Sequence, residues 1–99
     1  MTAPFSGKLG RMNDRSLPPT RVETVAMFDA VLGGLMTRED VSSWAGPWIS
    51  VREREVEDLA VFKALALLGG ADLRHGADEP YLFTDGQISE WRVELLAAP

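Results

Sequence analysis

The amino-acid sequence predicts an all-α protein, a compact four-helix domain with a short second helix and a buried third helix. Three observations carry that expectation. From about residue 20 onward, apolar residues recur at three- and four-residue steps, the period of one helix face. Thr20 with Glu23, Ser50 with Glu53 and Thr84 with Gln87 have the spacing of a capping box. The longest apolar stretch, residues 59–68, is rich in leucine and alanine rather than β-branched residues, and is too long for one strand.

The first helix opens at Thr20 and carries Val25, Phe28, Leu32, Leu35 and Met36 on one stripe, ending around Gly33-Gly34. Thr37 opens the second, with Glu39 and Asp40 in the first turn, where the helix dipole favours carboxylates. Val41, Trp44, Ala45 and Trp48 share one face, Ser42 and Ser43 face out, and Pro47 keeps the helix short. The third is expected from about residue 52 or 55 to Leu68, with Val61, Phe62, Leu65 and Leu68 on one side. Leu59, Ala60, Ala64 and Leu67 cover most of the rest, with only Lys63 interrupting. A helix apolar nearly all round is a buried one. Gly69-Gly70 stops it. Residues 71–84 form the longest irregular stretch of the folded part, with Leu73, Leu82 and Phe83 expected to tuck it onto the core. Ile88, Trp91 and Leu95 make the inward stripe of the last helix.

Two regions of unlike charge follow from the same reading: a flexible, mildly basic tail over residues 1–19 and an acidic helical domain over residues 20–99. Lys8, Arg11 and Arg15 against Asp14 give residues 1–20 a charge of +2, so the rest carries −7 of the total −5. Pro4, Gly7, Gly10, Pro18 and Pro19 interrupt the first segment, and no helical or alternating period is read through its Phe5, Leu9 and Met12. It is expected to be dispensable for folding. A basic arm of this kind either folds back onto an acidic body or reaches a nucleic acid or acidic partner.

Composition removes several function classes. The 99 residues include no cysteine, which excludes disulfides, thiol chemistry and Cys-ligated zinc. No apolar run approaches the ~20 residues of a membrane span, and no secretory h-region opens the sequence, so a cytoplasmic location is expected. Catalysis lacks its parts. His75, the single histidine, lies beside a glycine in a loop, and the serines sit at caps or helix faces. The acids between residues 72 and 79 lack calcium-loop spacing, and neither glycine pair opens a phosphate loop. The expectation is no enzyme, no cofactor and no metal. A short helix, a turn and a longer helix resemble helix-turn-helix. That longer helix reads as too apolar to leave the core, and Glu53, Glu55, Glu57 and Asp58 at its start would repel phosphates despite Arg52 and Arg54. No nucleic acid is therefore expected to bind the folded domain.

The remaining signal is acidic. Asp72, Asp78, Glu79 and Asp85 surround Tyr81, an aromatic of the kind enriched in interface hot spots, and make the first candidate partner-binding surface. Glu53, Glu55, Glu57 and Asp58 make the second, with Asp58 able to pair with Arg54 at i,i+4.

The segments TREDVSSWAGPWI, VEDLAVFKALALLGGADL, YLF and ISEW, spread over residues 37–95, resemble a pattern of small acidic actinobacterial proteins of unassigned function. Size, acidity, helix content and the Tyr81 loop are also similar in design to colicin-type DNase immunity proteins, although the paired tyrosines of that family are absent here. That resemblance implies an immunity- or antitoxin-like module that occludes a basic protein partner, such as a toxin or nuclease. Two other classes are an accessory subunit of a larger complex and a small ligand-binding or enzymatic domain.

Overall fold

The computed structural model describes residues 17–99, so the reading of a basic tail falls almost wholly outside the described residues. Four α-helices follow in order: α1 (Arg21–Leu32), α2 (Arg38–Ala45), α3 (Leu59–Gly69) and α4 (Asp85–Ala97), with 3₁₀ turns at Gly46–Ile49 and Glu53–Glu55. The fold is all-α, and no strand occurs among the described residues. The second helix is short, as expected, and α3 is packed against each of the other three.

Local chemistry sets most helix starts. Thr20 and Glu23 exchange side-chain and backbone bonds at the head of α1, at 3.1 and 2.9 Å. Thr37 with Asp40 and Thr84 with Gln87 do the same for α2 and α4. Each box satisfies amide groups that have no partner inside the helix. Ser50 and Glu53 form no such box. The Ser50 hydroxyl donates instead to Gly46 O at 2.8 Å, and α3 begins only at Leu59, where Asp58 caps it by accepting from Ala60 N at 3.0 Å. The expected earlier start is therefore wrong.

The core draws on every helix: Phe28 from α1, Val41 and Ala45 from α2, Val61, Ala64, Leu65 and Leu68 from α3, and Ile88 and Leu95 from α4. Trp48 closes it from the 3₁₀ turn, while Trp44 and Trp91 are only half-buried at its edge. Several apolar side chains expected inside lie outside. Gly34 takes a left-handed φ of 79°, which turns the chain out of α1 and leaves Leu35 on the surface. In α3, Leu59 and Ala66 are exposed alongside Lys63, so this helix buries one face rather than its whole circumference. Ser42 does not face solvent: its hydroxyl donates to Gly69 O at 2.7 Å and ties α2 to the end of α3. A Cβ at Gly69 would stand 2.7 Å from Ile49 Cδ1, so a side chain there would require the end of the Ile49 side chain to shift.

Residues 70–84 fold back on themselves. Leu82 N donates to Leu73 O at 2.8 Å and His75 N to Pro80 O at 3.1 Å, around an isolated antiparallel bridge between Arg74 and Tyr81. Phe83 anchors this loop, with its ring edge-on to Trp91 at 5.0 Å. Leu73 and Leu82 remain exposed, contrary to the expectation that they pin it.

Two leucines of α3 test this packing. Leu65→Ala should cost about 2–5 kcal/mol, the range for cavities in a packed core. Leu59→Ala should change stability by less than about 0.5 kcal/mol, as surface substitutions do. Urea unfolding of both variants measures the contrast; equal midpoints would refute the burial assignment.

Candidate functional site

The loop carrying the first acidic surface is built around arginines that its own sequence does not reveal. Arg38, at the start of α2, is nearly buried. It donates to Phe83 O at 2.6 Å, to Ala71 O at 3.3 Å and to Asp85 Oδ1 at 2.8 Å. Its guanidinium carbon lies 4.4 Å from the centroid of the Tyr81 ring, and that of Arg74 lies 4.0 Å from it. The Tyr81 hydroxyl donates to Glu39 Oε2 at 2.9 Å. The ring is thereby engaged within the protein by two cations and a carboxylate. The structure brings Tyr81 and Asp85 together through Arg38, and uses the Glu79 carbonyl as an acceptor for Arg74 at 3.1 Å. Asp78 and the Glu79 side chain project into solvent, and Asp72 is half-buried. Tyr81 is a joint between the loop and α2, not a free anchor for a partner.

The second acidic surface is dispersed in a similar way. Residues 56–58 are extended, so Asp58 and Arg54 never share a helix face and the expected i,i+4 pair does not form. Asp58 instead receives a two-pronged bond from Arg21, at 2.7 and 3.1 Å. Arg21 also donates to Ala98 O at 2.8 Å and Pro99 O at 2.6 Å, which joins the start of α1, the cap of α3 and the end of α4. The hydrogen bond from Arg21 holds the Asp58 carboxyl below its ordinary pKa, outweighing the opposing effect of desolvation, while the same bond raises that of Arg21. Arg52, whose guanidinium stacks 4.2 Å from the Trp48 ring, similarly depresses Glu55 by hydrogen bonding to it. Glu53 and Glu57 are exposed.

The ion pairs leave the positive charge unevenly distributed. Arg21, Arg38, Arg52, Arg74 and Arg92 all have carboxylate partners. Among the described residues, Arg54 and Lys63 are exposed cations without an ion pair. Lys63 lies on the outer stripe of α3 with Leu59 and Ala66, and α3 contains no acidic residue. Sequence reasoning passed over this stripe because it started the helix among Glu53, Glu55 and Glu57. The available signal was the absence of acids between residues 59 and 71. Among the described residues no group of three His, Cys, Asp or Glu could hold a metal ion. No helix there is long and apolar enough to cross a membrane.

A family model described as "YxzC DNA-binding protein" matches residues 9–95. Among curated proteins, the uncharacterized protein YxzC of Bacillus subtilis is 39% identical over 70 residues, covering 71% of this chain. The chain spans 57% of the length of that relative. No solved structure matches. The family match overturns four linked expectations: the resemblance to actinobacterial and immunity proteins, the inhibitor function, the basic protein partner, and the exclusion of nucleic acid from the folded domain. The physical error behind the last is the misplaced start of α3, which put three glutamates on a helix that has none.

The Arg21–Asp58 bond has a pH signature. Because the folded-state pKa of Asp58 is depressed, its stabilisation is present above the ordinary aspartate value of about 4 and is lost as pH falls through the folded value. Asp58→Asn keeps a capping oxygen but removes the charge. Its deficit in Tm relative to the parent should be largest at neutral pH and shrink in acid. A deficit constant with pH would show that the ion pair contributes nothing.

Proposed function

Because the chain belongs to the YxzC DNA-binding protein family, we propose that it binds DNA, without catalysing a reaction on it, through a small set of cations outside its ion-paired body. The observation that carries this reading is the match over residues 9–95, which takes in Arg11, Arg15, Arg54 and Lys63. Lys8 lies just upstream of it. The charge pattern supports the same reading. A body of −7 repels phosphates as a whole, so contact is favoured where cations outnumber acids locally or are free of ion pairs. The segment before Pro18, with three cations against Asp14, is one such place. The other is Lys63 on α3, a helix that carries no acid of its own, although Glu94 of α4 lines the same surface pocket. Basic arms that reach a groove while the folded part contacts the backbone are an established way to combine such elements. A DNA ligand also accords with a cytoplasmic location.

A handful of phosphate contacts gives weak, salt-sensitive binding, with log K falling against log salt by about 0.9 for each phosphate neutralised. Fluorescence anisotropy with a short labelled duplex, at several salt concentrations, measures that slope. Arg11→Gln with Arg15→Gln should lower its magnitude by about 2, and Arg54→Gln with Lys63→Gln by a similar amount, since each lost phosphate contact removes about 1. No saturable binding by the parent chain at low salt would overturn the function. An unchanged slope in either double variant would remove that pair from the interface.

A further inference from the structure

α3 and α4 pack against each other but leave an open cleft of about 110 Å³ between them. Its walls are apolar: Ala60, Ala64 and Leu67 from α3, and Trp91 and Leu95 from α4. The alanines leave room that a larger side chain would fill. Trp91 is half-buried, with the Phe83 ring edge-on to it at 5.0 Å, and its indole N–H has no acceptor among the described residues. Two more residues lining the cleft are exposed and of opposite charge, Lys63 on α3 and Glu94 on α4. Among the described residues neither forms an ion pair. Elsewhere in the body five arginines pair with carboxylates, whereas here a cation and an anion line one cleft without meeting.

That combination sets the chemistry of a ligand. It has to offer a compact ring to Trp91, an anionic group to Lys63 and a hydrogen-bond donor to Glu94. A single pyrimidine nucleotide has all three: the base, the phosphate and, in cytosine, the exocyclic amino group. A carboxylate accepts from cytosine N4, whereas thymine presents an oxygen at that position, which a carboxylate repels. Size agrees with one ring. Apolar cavities of roughly 150 Å³ hold benzene, so a cleft of about 110 Å³ that opens to solvent suits a pyrimidine and not the fused rings of a purine.

We propose that the cleft between α3 and α4 takes one unpaired pyrimidine, cytosine before thymine, so that the DNA this protein prefers is single-stranded or locally unpaired. The base lies against the Trp91 indole, Glu94 accepts from its amino group, and Lys63 contacts the flanking phosphate. Stacking on an aromatic beside a cation holds single strands and is worth a large share of the affinity for each base. An acidic body gains most from such a contact, because stacking does not depend on net charge. A paired base keeps its faces inside the stack, so duplex DNA reaches Lys63 but not the cleft. The pocket rests on the DNA-binding function proposed above and adds to it the form of DNA bound.

Fluorescence anisotropy at low salt and near-neutral pH compares labelled oligodeoxycytidylate, oligodeoxythymidylate and a mixed-sequence duplex of equal length. The parent chain should bind the cytidylate strand most tightly, about tenfold more tightly than the duplex. Ala60→Leu fills the cleft while leaving Trp91, Lys63 and Glu94 in place, and Ala60 is half-exposed, so the added bulk has an outlet. This variant should lose about tenfold in affinity for the cytidylate strand, the effect of removing one base–aromatic stack, with duplex binding unchanged. Trp91→Leu should do the same, and thermal melting by circular dichroism verifies that each variant is folded. Glu94→Gln should narrow the preference for cytidylate over thymidylate, since an amide both donates and accepts. Parent-like cytidylate binding by folded Ala60→Leu and Trp91→Leu would overturn the pocket, as would an equal loss for the duplex or a parent that binds the duplex as tightly as the single strands. In those outcomes the parent still binds DNA, and the function proposed above stands. A parent that binds none of the three would overturn both.

Discussion

Everything in this fold is arranged around the need to cover one face of α3. Val61, Ala64, Leu65 and Leu68 present an apolar strip that a single neighbour cannot hide, and α1, α2 and α4 each supply part of the cover. Burial of such side chains contributes roughly 1.5–3 kcal/mol each for the larger ones, which exceeds what any surface ion pair of this domain could add. Small residues take part in the cover: Ala64 is buried within it, and Gly69 lies against the end of the Ile49 side chain.

Polar groups then decide how the covering elements are held. Two arginines act as joints because each reaches several acceptors from different parts of the chain. Arg38 connects α2 to the loop carbonyls and to Asp85 at the head of α4. Arg21 connects α1 to the cap of α3 and to the end of α4. A planar guanidinium with five donors suits this task, which a lysine could not reproduce. Arg92 adds a further tie to Asp29 between α4 and α1.

These joints bear directly on function. Arg21 engages Asp58, Arg38 engages Asp85 and Arg52 engages Glu55, which diverts acids that would otherwise define a cation-seeking surface. They also take most of the arginines out of contention for phosphate. Among the described residues, Arg54 and Lys63 are the exposed cations without an ion pair, and the proposed contact with DNA draws on them. An acidic protein that binds an anion has to separate its charges in space, with a local positive field outweighing the distant negative one over the range of salt screening, about 8–10 Å near physiological ionic strength.

The sequence by itself determined the fold class, the number of helices and three of their four starts. Those depend on neighbours three or four residues away: the reciprocal Thr–Glu, Thr–Asp and Thr–Gln bonds, and the recurrence of Phe28, Val41, Leu65 and Ile88 on helix faces. It also marked Tyr81 and the two acidic clusters, although not what they do. Only the tertiary structure decided that α3 starts at Leu59, because Asp58 is held by Arg21 from 37 residues away. It alone decided that Tyr81 meets Arg38 and Glu39 and that Leu35 and Leu59 are outside. The division has one cause. Capping and periodicity are settled by atoms a turn apart, whereas the partner of a long charged side chain is settled by which distant segment the packed core brings within its reach.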